Sequence, residues 1–385
     1  MGSVPAPTAE ARIASLAQEI DAIYKEVAND ERSRKELFNV IQGAMGKVET
    51  PMDTIWRMII GVLTDLVAAG KAKTAKQLAE STGASETLIV RMMRPLTALG
   101  IFREVGVSTY ESAPISQLLT APPLIGGYQF MFDLATRSLA NMPRFLEKTG
   151  FQHVDGPPGP FQDSNATDDL MFPYLMKHPA MMTNFNAFMA GSLETREDWF
   201  RKFDAQSIVL DGARADDPDA VLLIDIAGGE GHDVQAFGRA FPDAPGKLVL
   251  QDLPPVIANI KQLDAKVVRQ PHDMFDEQPF KGARAYYMRN IFHDWPNDRC
   301  VDIMKRIAAA MAPGYSKLLI FEWVLVPRDV PLYPALLDVN MMALLNGRER
   351  TEDEWRALLA AAGLKAIKFH THGPAEEGLI EAELA

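Results

Sequence analysis

The sequence predicts an α/β chain whose C-terminal part, residues 211–385, is a Rossmann-like domain with a mostly parallel sheet. Two observations carry that expectation. Short apolar runs at Val221–Ile226, Lys247–Gln251, Lys266–Arg269, Ala285–Met288 and Lys317–Phe321 alternate with stretches of helical spacing. That alternation is the βαβ pattern of a parallel sheet with helices on both faces. A glycine-rich turn, Ala227-Gly228-Gly229-Glu230-Gly231, follows the first run and opens a helix. Ahead of this region, residues 50–120 read as three helices and a short β wing, an α-helical winged-helix domain.

The elements can be justified in order. Within residues 7–45, Ile13, Leu16, Ile20, Ile23, Tyr24 and Val27 recur at helical spacing. This is an amphipathic arm able to pack on its own chain or on a partner. Thr74 and Gln77 stand at capping-box spacing and open a helix, Ser81-Thr82-Gly83 is a turn, and Glu86–Leu99 carries Leu88, Met92, Leu96 and Leu99 on one face. Gly100 closes that helix, and Ile101–Val105 with Thr109–Glu111 make a hairpin around Gly106. Residues 125–205 look helical and rich in Phe and Met, interrupted by Asp155-Gly156-Pro157-Pro158-Gly159-Pro160. The expected organisation is therefore an arm and winged-helix domain over 1–120, a helical linker lining the substrate over 121–210, and the sheet domain over 211–385.

Composition narrows the function. A length of 385 residues suggests two or three domains, and 47% apolar with 23% charged residues is ordinary for a soluble globular chain. The net charge of -12 argues against nucleic acid, because phosphate binding needs a basic surface. The would-be recognition helix has only Arg91 and Arg94 as strong positive charges. A single cysteine, Cys300, excludes an intrachain disulfide framework and a cysteine-rich metal site. No apolar run reaches membrane-spanning length, the N-terminus lacks the features of a leader, and Ala6 spoils a myristoylation motif at Gly2. A cytoplasmic location is expected.

The chemistry gathers at strand ends, which converge on one crevice in an open α/β sheet. Gly228 and Gly229 let the backbone approach a ligand at a helix start. Asp252 ends the next strand, 27 positions after Asp225, and suits ribose hydroxyls. Asp273 can accept from an adenine amino group while Met274 offers an apolar face. Each residue singly could be a surface carboxylate or a core methionine. Three successive strand ends bearing such groups read as a nucleoside site.

His293 lies in Asn290-Ile291-Phe292-His293-Asp294-Trp295-Pro296-Asn297, just after an apolar run. It could merely precede a helix capped by Asp294 or Asn297. A catalytic role needs a carboxylate to orient the ring. Glu322 ends the next strand, and Glu349 precedes the helix Glu352–Ala361, where it could equally be a solvated helix-start charge. The benefit of a base is large. A phenol of pKa ~10 is about three units above neutral pH, a cost of roughly 4 kcal/mol if it must ionise first. A general base contributes about a hundred- to ten-thousand-fold. No metal-binding H-x-x-x-H or H-E-x-x-H spacing occurs, so none is expected.

Taken together, Asp225–Gly231, Gln251-Asp252-Leu253-Pro254, His272-Asp273-Met274-Phe275, Arg289–Trp295 and Gly347-Arg348-Glu349-Arg350-Thr351 resemble the motifs of class I S-adenosylmethionine (SAM)-dependent O-methyltransferases. The likeness is to the caffeate/flavonoid type, and within it to the fungal secondary-metabolite branch. It spans nearly the whole chain. It implies a SAM-binding Rossmann-like domain preceded by a winged-helix dimerisation domain, and hence a homodimer. It further implies that Gly228 and Gly229 approach the methionine part of the cofactor and that Asp252 and Leu253 lie at the ribose. Asp273 and Met274 would hold the adenine, and Arg289 the tail. His293 matches the family's base, Glu322 and Glu349 its flanking acids, and Asp294 a position beside the reacting centre. Phe188, Met189, Met341, Met342 and Asn346 match regions that line acceptor pockets, although methionines at helical spacing are more often core.

Ala227 stands where the motif usually has its first glycine, and Glu230 adds a charge to the loop. Neither removes the central glycines. The expected activity is methylation of a phenolic or enolic hydroxyl on an aromatic or polyketide-type metabolite, with His293 as base, Glu322 orienting it and Glu349 flanking it. The rival is a pericyclase on the same scaffold that binds SAM and transfers no methyl. An intact His with two acids argues for the first. A DNA-binding regulator that senses a nucleoside is a third reading, disfavoured by charge.

Overall fold

The computed structural model describes residues 9–27, 30, 33, 37, 51–154, 156–194, 197–217 and 219–385. The chain divides into two compact units, residues 1–125 and 126–385. In the first, Ala9–Val27 is a helix, and most of the rest of the predicted arm lies outside the described residues. The helices Pro51–Ala69, Ala75–Thr82 and Glu86–Ala98 precede a hairpin of β2 (Phe102–Gly106) and β3 (Thr109–Ser112), with β1 (Lys73–Thr74) added beside β3. The capping box forms as expected: Gln77 N donates to Thr74 Oγ1 at 3.3 Å, and Thr74 N donates to Gln77 Oε1 at 2.9 Å.

The buried face of Glu86–Ala98 needs correction. Ile89 and Met93 point inward at 1% exposure, whereas Leu88 and Leu99 are 40% and 74% exposed. Apolar residues at 88, 89, 90, 92, 93 and 96 cover so much of the circumference that spacing alone could not fix the centre of the stripe.

The second unit is built on a seven-stranded sheet. Its strands are β4 (Val221–Ile226), β5 (Lys247–Asp252), β6 (Val267–Pro271), β7 (Ala285–Arg289), β8 (Lys317–Glu322), β11 (Leu364–His370) and β12 (Gly378–Leu384), ordered β11-β12-β8-β7-β4-β5-β6. A small parallel pair, β9 (Val324–Leu325) with β10 (Arg350–Thr351), stands apart. The five strands β6-β5-β4-β7-β8 are parallel, and β12 and β11 continue the sheet antiparallel. The order reverses between β4 and β7, which is where such sheets hold ligands.

Neither β11 nor β12 was foreseen. β11 is half exposed and lacks an apolar run. β12 is buried but carries Glu381, neutralised by Lys317 at 2.5 Å and His370 at 2.9 Å. A charge in a central strand hides it from a hydrophobicity reading.

Alternating residues of β8 enter opposite cores. Leu318 and Ile320 pack with Met288, Phe292 and Trp355, while Leu319 and Phe321 pack with Tyr287, Leu250 and Trp199. Each such side chain stabilises the fold by about 1.5–3 kcal/mol on burial. The sheet is thereby a rigid base for its C-terminal loops. A separate aromatic cluster, with Phe130, Phe161 and Leu344 buried and Phe172, Phe185 and Phe188 partly so, forms among the helices of 126–194 and 332–345. No helix among the described residues is long and apolar enough to cross a membrane.

Candidate active site

The loop after β4 turns sharply. Ala227, Gly229 and Gly231 have φ of 56°, 60° and 79°. At Gly228 a Cβ would lie 2.5–2.6 Å from the Asp225 carboxylate, so no side chain fits there. At Gly229 a Cβ would meet nothing within 4 Å, which leaves open space beside the loop. Asp252 ties this loop to the end of β5. Its carboxylate accepts from Gly229 N at 2.8 Å and from Leu253 N at 2.7 Å, and burial holds its pKa above the ordinary carboxylate value. Asp273 accepts from Phe275 N at 3.0 Å, while Met274 packs partly buried on the core beneath.

Arg289 is more committed than the sequence suggested. Its Nη1 donates to both oxygens of Asp233 at 3.0 and 3.1 Å, Nη2 lies 3.4 Å from Glu377, and the guanidinium sits 4.8 Å above the Phe321 ring. The Nε of Arg289 and the Oδ1 of Asn290 are buried without a hydrogen-bond partner. A donor and an acceptor therefore remain at this strand end for a ligand.

The four residues expected at the reacting centre come together. His293 sits in a 3₁₀ turn, Phe292–Asp294, between β7 and the helix Asn297–Ala308. It does not serve as a helix cap. The ring Nδ1 is 2.7 Å from Glu349 Oε1, and Nε2 is 3.4 Å from Asp294 Oδ1. Glu322 Oε1 accepts from Ile291 N at 3.0 Å and Phe292 N at 2.6 Å. The hydrogen bonds thus differ from the expected arrangement: Glu349, not Glu322, contacts the ring, and Glu322 holds the backbone amides of its turn. The reason is the loop 347–351, which brings Glu349 against the face of the turn that β8 does not reach. Asp338 on the helix Leu332–Leu345 accepts from Glu349 N at 2.8 Å and fixes that loop in turn.

Electrostatics follows from burial and charge. Glu322 is 0% and Glu349 3% exposed. For His293, burial alone would lower the pKa, but Asp294 and the bond to Glu349 outweigh it and push the ring up to about 10. Burial raises Glu322 to about 7 and Asp294 to about 6. The raised pKa favours the imidazolium at neutral pH, with Nδ1 facing Glu349 Oε1. His293, Glu322 and Glu349 also place donor atoms within 4.8 Å of one another, which is the residue set of a divalent-cation site. Their hydrogen bonds point instead to proton handling, since Nδ1 already faces Glu349 and Glu322 Oε1 already holds two backbone amides.

On the acceptor side, Phe188 stacks on Phe130 at 6.1 Å within the aromatic cluster. Met189 and Met342 are half-buried and Met341 is buried. The helix Leu332–Leu345 packs against the His293 turn. Asn346 ends that helix with φ 54° and donates one side-chain N–H to the Gly156 carbonyl. Sequence reading missed Asp233, Asp338 and Glu377, whose partners lie too far along the chain for any local pattern to show.

A glycine-lined loop, an acid at the second strand end and a buried imidazole–carboxylate pair across a Rossmann-like switch point define a nucleoside-cofactor transferase. Residues 215–365 match the O-methyltransferase domain family, and residues 59–122 match the O-methyltransferase dimerisation domain. The O-methyltransferase asqD of Emericella nidulans is 38% identical over 80% of each chain. Demethylsterigmatocystin 6-O-methyltransferase of Aspergillus flavus is 33% identical over 84% of this chain and 82% of that one. The solved structure of LepI in complex with SAM aligns with a TM-score of 0.75 at 25% identity, over 98% of this chain and 100% of LepI. The chain belongs to the O-methyltransferase family, and it is a SAM-dependent O-methyltransferase. The open loop at Gly229 and the unpartnered Arg289 Nε and Asn290 Oδ1 fit such a cofactor.

Proposed function

We propose that the protein methylates a phenolic or enolic hydroxyl of an aromatic or polyketide-type metabolite, with His293 as general base. The carrying observation is the 2.7 Å contact between His293 Nδ1 and Glu349, which leaves Nε2 as the nitrogen for the acceptor's proton. Bound SAM supplies an electrophilic methyl on a cationic sulfur. Gly228, Gly229, Asp252 and Leu253 form its cradle, with Asp273 and Met274 at the adenine. Arg289, held by Asp233 and Glu377, sits at its polar end. Phe188 and Met189 on one helix and Met341 and Met342 on another furnish apolar surface for a ring-containing acceptor, and Asn346 fixes the end of the second helix. No metal enters this scheme. The dimerisation domain supports a homodimer, and we place the enzyme in the cytoplasm.

The raised pKa of His293 acts in two directions. A stronger base takes a phenol's proton with less uphill cost than an ordinary imidazole, but at neutral pH a ring of pKa about 10 is itself protonated, and freeing it costs roughly 4 kcal/mol. The ring must first be unprotonated. A second positive charge nearby disfavours the imidazolium and lowers its pKa by on the order of one to three units. Glu322, near its own midpoint at neutral pH, and Asp294 then share the cluster's protons.

The test is incubation with methyl-labelled SAM and a panel of phenolic and enolic metabolites, reading S-adenosylhomocysteine and labelled product together. Label appearing on oxygen is the expected result. Conversion of a metabolite with no S-adenosylhomocysteine formed would overturn methyl transfer and favour the pericyclase.

A further inference from the structure

Arg350 is one of the largest fully buried side chains, at 1% exposure, and its charge acts on Glu322 and Glu354 although, among the described residues, no carboxylate hydrogen-bonds its guanidinium. A buried cation with no directly bonded carboxylate costs several kcal/mol unless its hydrogen bonds are complete. They are complete. Nε donates to Asn297 Oδ1 at 3.0 Å. Nη1 donates to the carbonyls of Phe292 at 2.9 Å and Arg348 at 3.2 Å. Nη2 donates to the Trp295 carbonyl at 2.8 Å and to Cys300 Sγ at 3.4 Å. All five N–H groups of the guanidinium are thereby spent. Three of the acceptors, Phe292, Trp295 and Asn297, bracket His293.

Two neighbours strengthen the arrangement. Arg348 N donates to the His293 carbonyl at 2.9 Å. At Gly347 a Cβ would come within 1.9 Å of that same carbonyl oxygen, so only glycine lets the two segments touch. The segment 347–350 therefore grips the turn through backbone, guanidinium and the Glu349 carboxylate at once.

We propose that Arg350 is the positioning residue of the methyl-transfer site: its planar fork locks the Phe292–Asn297 turn so that the His293 ring stays on Glu349. This rests on the reading of His293 as base. Its positive charge also favours the ionised form of Glu322. Lysine could supply the charge but not five fixed donors.

The experiment is proton NMR of ¹⁵N-histidine-labelled protein with S-adenosylhomocysteine bound, following the His293 Nδ1–H identified by its loss in His293→Gln. The native protein should show a downfield, protected resonance. In Arg350→Met and Arg350→Lys, water exchange at Nδ1 should quicken by about tenfold or the signal should vanish, while S-adenosylhomocysteine affinity stays near native. A native resonance in either variant overturns the proposal. If these variants fail to bind S-adenosylhomocysteine, Gly347→Ala decides. Its methyl must push the segment off the turn, and an unchanged Nδ1–H there also overturns the proposal. The resonance reports ring placement whichever atom takes the acceptor's proton. Failure of the base assignment would appear separately, as full activity in His293→Ala.

Discussion

The two edges of the crevice are held in opposite ways. After β4 and β5 the cofactor edge is made of backbone: glycines at positive φ, and amides of Gly229 and Leu253 gathered by one carboxylate, Asp252. After β7 and β8 the base edge is made of buried side chains whose partners lie far away in sequence, with Glu349 56 residues from His293 and Glu322 about 30 from the amides it holds. One edge is shaped by local stereochemistry. The other is shaped by charge and long-range packing, so damage to one should leave the other working.

The sharpest break in that comparison is His293→Ala. Turnover should fall by about a hundred- to ten-thousand-fold, the usual contribution of a general base. Calorimetry with S-adenosylhomocysteine should meanwhile return near-native affinity. A parallel collapse of affinity would mean that the edges are not separable, and full activity would remove His293 from the chemistry.

The pH dependence sharpens the base edge alone. A base acts only when unprotonated, so a raised pKa means activity present at high pH and lost as pH falls. With the free ring at about 10, less one to three units beside the cofactor's charge, kcat should climb with pH and level between about 7 and 9. Because Glu349 helps raise the ring, Glu349→Gln should move that limb toward lower pH by about one unit while lowering the plateau. A pH-independent kcat, or a limb moving upward in the variant, contradicts the account.

The cofactor edge breaks at Gly228. An added methyl meets the Asp225 carboxylate at 2.5–2.6 Å, and Asp225 cannot yield because it is 2% exposed and accepts from Val234 N at 3.3 Å. Overpacking of this kind costs about 1–3 kcal/mol. Gly228→Ala should therefore weaken S-adenosylhomocysteine binding by roughly ten- to a hundredfold by calorimetry, with kcat at saturating cofactor little changed. Native affinity would show that the loop has slack.

The same contrast explains what could be read from the chain. Strands β4, β5, β7 and β8 and the acid at 252 were legible because an apolar run followed by a turn is a local pattern. That Glu322 opens onto the same crevice edge as His293 was legible from the order of strand ends, whereas Glu349, ahead of a helix, joined them only through the family resemblance. Which acid holds the ring was not legible, because it depends on how the loop 347–351 folds back over the turn. The resemblance places Arg289 at the cofactor's tail, but that Asp233 and Glu377, 56 and 88 residues distant, hold its Nη atoms was not legible. Charge pairs at such separations leave no periodic trace.

The smallest effect probes strain on the cofactor edge. Ala227 holds φ 56°, where an L-residue pays about 1–2 kcal/mol relative to the right-handed region. Ala227→Gly removes that penalty but gives the unfolded chain more freedom, worth about 0.5–1 kcal/mol in the other direction. The balance is a stabilisation of about 0.5 kcal/mol, which a thermal melt should show as a rise of roughly 1–2 °C. Since the loop's amides stay on Asp252 and Gln251, cofactor affinity should hold or improve slightly. A lower melting temperature would mean that the methyl makes packing contacts that outweigh its strain, and alanine at this position would then be a stabilising residue in its own right.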